Sequence, residues 1–179
     1  MGKSGRGLLI VYTGGGKGKT TAALGMALRA VGYGHRVLIV QFIKGSWHYG
    51  ELTSIQRLAP EVELLQGGEG FVGIVDDKLP IEDHVAAAQA ALAMARTKIA
   101  TDVYDLVILD EINYAVQLGL ITLEEVKQLV AARPTRLDLV LTGNHAHEDL
   151  IAMADLVTEM REIKHPYQQG QSAKKGIDF

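Results

Sequence analysis

Leu8-Leu9-Ile10-Val11-Tyr12-Thr13-Gly14-Gly15-Gly16-Lys17-Gly18-Lys19-Thr20-Thr21 is the stretch from which the rest of the chain can be read. An apolar run of β-strand character enters a glycine-rich turn. The turn leads through Gly18-Lys19-Thr20 into an alanine-rich helical segment. Strand, loop and helix in that order are the context a phosphate-binding loop needs. Glycines let backbone N–H groups converge on an anion without Cβ clashes, and the helix N-terminus adds partial positive charge. Thr13, Gly14, Gly15, Gly16, Lys17, Gly18, Lys19, Thr20 and Thr21 are therefore the candidate nucleotide-binding set. Lys19 is expected to bridge the outer phosphates, and the Thr20 hydroxyl to ligate Mg²⁺. The spacing is unusual. The common pattern puts four residues between its first glycine and the Gly-Lys pair. Here that first position is Thr13, and three residues separate Gly14 from Gly18. The loop is either shortened or begins on threonine.

Leu24, Ala27, Leu28 and Val31 fall at helical spacing and predict a buried stripe. Gly32 and Gly34 mark the helix end. Val37 to Val40 follow as a buried strand that continues through Gln41 and Phe42, giving a right-handed βαβ unit with parallel strands. In open α/β sheets ligands bind past the carboxyl ends of strands, which makes Lys44 a candidate anion contact. Position alone equally allows a solvated loop lysine. Trp47 and Tyr49 either cover a flat ligand or pack the loop down. Leu52, Ile55 and Leu58 suggest a short helix ending at Pro60, and Val62 to Leu65 a short strand. In the glycine-rich stretch 66–73, Phe71 is either a loop anchor or a functional apolar group. Pro80 opens a long helix with Glu82 and Asp83 in its first turn. Its core stripe is expected at Ile81, Val85, Ala88, Leu92, Ala95 and Ile99. Asp76 and Asp77, just before it, read as solvated loop residues.

Leu106-Val107-Ile108-Leu109-Asp110-Glu111 is an apolar strand ending in an acidic pair, the form of a Walker B element. It would supply a carboxylate near Mg²⁺, directly or through water. Thr122-Leu123-Glu124-Glu125 is a capping box opening a helix whose Val126, Leu129 and Val130 face inward and which stops before Pro134. Leu137 to Leu141 form another buried strand. His145 and His147 have a chelating separation but no evident third ligand, so they read as polar loop residues. Leu150, Ile151 and Met153 predict a last short helix, and Leu156-Val157 a final strand. The basic tail ending in Phe179 either closes over an anionic ligand or frays.

The chain of 179 residues is one domain's length, 1–179, with residues 1–7 and the far C-terminal tail expected to be mobile. A formal net charge of −3 argues against a general nucleic-acid or membrane-surface binder. No cysteine is present, which excludes disulfides, thiolate metal sites and cysteine nucleophiles and is compatible with the cytoplasm. There is no signal-peptide h-region and no apolar run of membrane-spanning length. The expected fold is a three-layer α/β domain of P-loop NTPase-like (RecA-like) type with a mostly parallel sheet.

The chain resembles the P-loop type of cob(I)alamin (corrinoid) adenosyltransferase. The likeness is carried by Thr13 to Thr21, Val40-Gln41-Phe42-Ile43-Lys44-Gly45, Gly68-Glu69-Gly70-Phe71, Leu106 to Asn113 and Ala132-Arg133-Pro134. It continues through Ala154 to Arg161, Lys164-His165-Pro166 and Gly176-Ile177-Asp178-Phe179. The short interval between Gly14 and Gly18 is itself a family trait. The resemblance implies that Co(I) of a reduced corrinoid attacks C5′ of ATP and that the whole triphosphate departs. Lys19, Glu111 and Phe71 are then the catalytic candidates. Thr20 and Glu111 would contact Mg²⁺, with Asp110 as an outer-shell alternative. Phe71, Val72 and Trp47 would meet the corrinoid, where aromatic groups displace the lower axial ligand of cobalt. Two departures stand out. Gly73 replaces a residue that is commonly Trp, and Asn144 falls where an Arg is usual, with His145 next to it as the replacement. Some members carry an N-terminal helix capping the partner's site; this sequence begins almost at its first strand, so no such cap is expected. The resemblance also implies a homodimer and an electron donor such as a flavoprotein reductase. A P-loop nucleoside kinase and a non-enzymatic ATP-binding switch are the competing readings.

Overall fold

The computed structural model describes residues 5–43, 49–68 and 79–178. Six strands form one sheet: β1 (Leu9–Thr13), β2 (Val37–Gln41), β3 (Val62–Gln66), β4 (Leu106–Asp110), β5 (Asp138–Thr142) and β6 (Leu156–Glu159). Their order is β3-β2-β4-β5-β1-β6. Every pairing is parallel, in the registers Val37↔Val62, Val37↔Leu106, Leu106↔Asp138, Leu9↔Leu139 and Ile10↔Leu156. Such a sheet needs cover on both faces, because its central strands alternate two apolar surfaces. β2 and β4 are accordingly buried at every position.

The helices supply that cover. One core joins Ile10, Val37, Ile39, Leu106, Ile108 and Val140 to Ala23 and Ala27 of α1 (Lys19–Val31) and Ile55 of α2 (Gly50–Gln56). The opposite core joins Leu38, Val40, Val107, Leu109, Leu139 and Leu141 to α3 (Ile81–Ala100), α4 (Ile112–Gln117), α5 (Leu123–Ala132) and Leu150 of α6 (Glu148–Met153). The result is the expected three-layer, P-loop NTPase-like architecture.

Two helix stripes differ from expectation. On α1 the buried side chains are Lys19, Ala23 and Ala27, while Leu28 is 62% exposed. Leu28 lies about 100° round the helix from Ala27, so a stripe centred on the small alanines turns it outward. On α3, Ile81 is 47% exposed in the first turn, and His84 is buried instead. The core contact begins one turn later than the apolar spacing suggests. The capping box on α5 is present as read: the Thr122 hydroxyl accepts from the Glu125 N–H, and the Glu125 carboxylate accepts from the Thr122 N–H.

Of the amino-terminal residues expected to be mobile, Gly7 is buried, and its N–H donates to the Thr135 carbonyl at 2.7 Å. A Cβ there would lie 2.2 Å from the Leu137 carbonyl oxygen, so the close approach of the two segments requires glycine. The tail forms a short 3₁₀ turn at Pro166–Gln169 and a closed turn through Lys174–Asp178. No described helix is long and apolar enough to cross a membrane.

Candidate active site

The carboxyl edge of the sheet brings the strand–loop–helix unit beside the end of β4, with β5 between them. Two glycines of the loop adopt left-handed backbone, Gly14 at φ +95° and Gly18 at φ +111°. The loop is also packed from behind. The Gly16 N–H donates to the Met160 carbonyl at 2.7 Å, and the Met160 N–H donates to the Thr13 carbonyl at 2.8 Å. A Cβ on Gly16 would stand 2.7 Å from the Arg161 carbonyl carbon, whereas Gly15 faces open space. Packing against the segment after β6 therefore requires glycine at positions 14 and 16 independently of any anion.

Lys19 folds back over its own loop. Its Nζ donates to the carbonyls of Gly14 at 2.7 Å and Gly16 at 2.8 Å, and the residue is 8% exposed. Burial pushes its pKa below the usual lysine value, an effect opposed by the carboxylates of Glu111 and Asp110 and reinforced by Lys17. The ammonium is thus fixed at the loop's centre with two carboxylates facing it.

Asp110, at the end of β4, is 1% exposed. Its Oδ1 accepts from the Thr20 hydroxyl at 2.9 Å and from the Thr142 hydroxyl at 2.7 Å. Thr142 in turn accepts from the Glu111 N–H at 2.9 Å. Three elements therefore meet at one carboxylate: α1, β4 and β5. Glu111 sits in left-handed backbone at φ +64°, an uncommon conformation for a glutamate. It caps α4, and it lines the cavity in front of the loop.

That cavity has a volume of about 810 Å³. Its floor is Gly15 to Thr21, and Leu24 follows on α1. Tyr49, Gly50, Glu51 and Ser54 at the start of α2 form one wall, Glu111, Tyr114 and Asn144 another. Gly176, Ile177 and Asp178 of the tail close a third side. Lys17 pairs with Asp178 across the loop.

The fold thus gathers Gly15, Gly16, Lys17, Gly18, Lys19, Thr20, Thr21 and Glu111 around one cavity, with Asp110 behind Thr20. Thr13 lies to the rear: its hydroxyl accepts from the Ala146 N–H at 2.9 Å. Gly14 contributes its carbonyl to Lys19. His147 caps α6, its Nδ1 accepting from the Asp149 N–H at 3.1 Å. Lys44, Trp47, Phe71, Val72 and Gly73 lie outside the described residues. Thr142, Tyr114 and, on α2, Gly50, Glu51 and Ser54 are not marked by the sequence as site residues, whereas Tyr49, read as covering a flat ligand or packing its loop, does line the cavity. The polar end of an otherwise apolar strand was the available signal for Thr142.

The donor set suits a hard divalent cation. A hydroxyl that donates its single proton to Asp110 keeps its lone pairs for a cation. Among the described residues no three His, Asp or Glu side chains form a metal cluster. Mg²⁺ does not require one, since it is usually held by one or two carboxylates together with substrate phosphates.

Sheet, glycine loop and buried acid place the chain in the class of α/β proteins with P-loop NTPase-like architecture. A family model described as ATP:corrinoid adenosyltransferase BtuR/CobO/CobP matches residues 5–179. The chain is 40% identical over 174 residues to the corrinoid adenosyltransferase of Escherichia coli (strain K12), spanning 97% of this chain and 86% of that protein. The same identity and coverage relate it to the corrinoid adenosyltransferase CobA of Salmonella typhimurium (strain LT2), at 40%, 97% and 86%. A corrinoid adenosyltransferase from Sinorhizobium sp. is 42% identical over 176 residues, covering 97% of this chain and 81% of that one. The chain belongs to the ATP:corrinoid adenosyltransferase family and is a transferase.

Proposed function

We propose that the chain transfers the 5′-deoxyadenosyl group of ATP to Co(I) of cobalamin or a precursor corrinoid, releasing inorganic triphosphate. The observation that carries this reading is family membership across residues 5–179, with the loop, Lys19 and the Thr20–Asp110 pair at one cavity. In balanced form, the cobalt electron pair forms a Co–C5′ bond while the C5′–O5′ bond breaks, and the triphosphate leaves with that electron pair. No phosphorus is attacked, so the loop acts on a leaving group. Backbone N–H groups of the loop from Gly14 to Thr20, apart from that of Gly16, which is taken by the Met160 carbonyl, hold the triphosphate together with the Lys19 ammonium and stabilise the charge that develops on it. The two carbonyls that already hold the Lys19 ammonium support a preorganised contact.

Thr20 and Glu111 would hold Mg²⁺, with Asp110 orienting the Thr20 hydroxyl from behind. When bound, the ion offsets negative charge on the departing phosphates. From its place past the second strand, Lys44 adds a phosphate contact; following the resemblance, Phe71 meets the corrinoid and helps remove the lower axial ligand, with Val72 or Trp47 substituting for the aromatic group that Gly73 replaces. An electron donor such as a flavoprotein reductase supplies Co(I), and the working form is a cytoplasmic homodimer.

The test is to incubate purified protein with Mg-ATP and chemically reduced cobalamin. A light-sensitive Co–C product and one intact triphosphate per turnover are expected. ADP with a phosphorylated nucleoside would instead establish a kinase. Bound nucleotide with unchanged corrinoid would leave a binding module.

A further inference from the structure

The turn Lys174–Asp178 is far from the loop in sequence yet forms a wall of its cavity. Its geometry presents one carboxylate. The Ile177 and Asp178 N–H groups both donate to the Lys174 carbonyl, at 3.1 and 2.8 Å. Gly176 turns through φ +81°, and Asp178 Oδ2 accepts from the Lys174 N–H at 2.7 Å. The other carboxylate oxygen pairs with Lys17 Nζ. Among the described residues, the remaining hydrogen bonds of residues 171–178 stay within the tail. One ion pair thus ties this wall to the loop.

We infer that Asp178 is an internal stand-in for phosphate: it occupies the anion contact of Lys17, and it sets how tightly the site holds, and how fast it releases, the triphosphate. The inference rests on the proposed reading of the cavity as a nucleotide site. Lys17 lines the cavity, and its ammonium is a cation for which an entering polyphosphate would compete with Asp178. The carboxylate holding it must let go when the ligand enters, and it repels the ligand while both are present. Lys17 and the Lys174 N–H keep the carboxyl below its usual pKa, so it is anionic at neutral pH. The Lys17 and Asp178 side chains are 48% and 20% exposed, and a pair that open to water is weak enough to exchange readily. A site that discards triphosphate whole gains from such a contact, because recapture of Lys17 by Asp178 promotes release of the product.

The experiment is calorimetric titration of inorganic triphosphate with Mg²⁺ into the unaltered protein, Asp178→Asn, Lys17→Ala and the double variant. Asp178→Asn should tighten triphosphate roughly threefold and slow its release by a similar factor, the scale of an exposed ion pair. The gain should vanish on the Lys17→Ala background. Hydrogen exchange at the amides of residues 177 and 178 should quicken when triphosphate binds. Unchanged or weakened binding in Asp178→Asn, or tail amides that become protected, overturns the inference, since the tail would then be a neutral wall or a clamp on the ligand. If the unaltered protein binds neither triphosphate nor Mg-ATP, the nucleotide reading fails and this inference fails with it. Triphosphate binding with no effect of Asp178→Asn overturns the inference alone.

Discussion

On the proposed reading, Lys19 is the residue on which the chemistry of the site depends most. Its 8% exposure and two carbonyl contacts fix the ammonium before any ligand arrives. The charge lies in a desolvated position, where a preorganised contact to developing negative charge counts most. We expect Lys19→Ala to lose on the order of 3 kcal/mol of transition-state stabilisation, about a hundredfold in kcat/KM. The check is the rate of Co–C bond formation at saturating reduced cobalamin, with circular dichroism confirming that the variant folds. Lys19→Arg should not restore the rate, because a planar guanidinium cannot occupy the compact position between the Gly14 and Gly16 carbonyls. At this scale the sequence was informative where the chemistry is local: Gly14 to Thr20 and Asp110-Glu111 announce themselves by spacing. It was silent where a partner is remote. Nothing adjacent in sequence reveals that Thr13 is tied to Ala146, that Thr142 donates to Asp110, or that Met160 packs against the loop.

Elements hold the site by fastening their far ends. Glu63 on β3 accepts from Lys98 Nζ near the end of α3, at 2.5 Å, and from the Tyr104 hydroxyl in the segment that follows. The Lys98 hydrogen bond, then that of Tyr104, hold the Glu63 carboxyl below the usual glutamate range. A carboxylate whose folded pKa lies below its unfolded one adds stability above the unfolded value, and that stability is lost as pH falls through the folded value. Glu63→Gln should therefore destabilise the protein at neutral pH and converge with the unaltered protein in acid. The side chain is 33% exposed, so screening keeps the effect to no more than about 1 kcal/mol. Urea unfolding followed from neutral pH down into acid should show the gap closing as the folded-state carboxyl protonates, and a gap that does not narrow would show that the charge is not responsible. Element type and order were legible because each strand is a short apolar run and each helix has an amphipathic period. Which side chains face the core was less so. Leu28 and Ile81 fit a helical stripe in sequence, but close packing of Ala23 and Ala27 on the sheet and the late contact of α3 decide otherwise.

For the molecule as a whole, the parallel pattern of the sheet follows from alternating strands and helices, and parallel order puts the loop of β1 and the acid of β4 on one edge. The strand order does not follow from the sequence: β5 lies between β1 and β4 because of long-range packing, and that placement lets Thr142 join the Asp110 network. The tail's position over the loop is equally non-local. A site assembled from β1, β4, β5, α2 and the tail should couple ligand occupancy to global stability. Ligand that binds the folded state alone stabilises it by about 2.7 kcal/mol at a hundred times its dissociation constant. For a chain of this length each kcal/mol raises the melting temperature by roughly 2–4 °C, so saturating Mg-ATP should raise it by about 5–10 °C. If Thr20 and Glu111 hold the cation as proposed, chelating the metal should remove a large part of the shift. The decisive comparison is Thr20→Ala. It removes the hydroxyl that Asp110 orients, so metal and chelator should give nearly the same smaller shift in the variant. A Thr20→Ala protein with the full metal-dependent shift would place the cation elsewhere in the cavity.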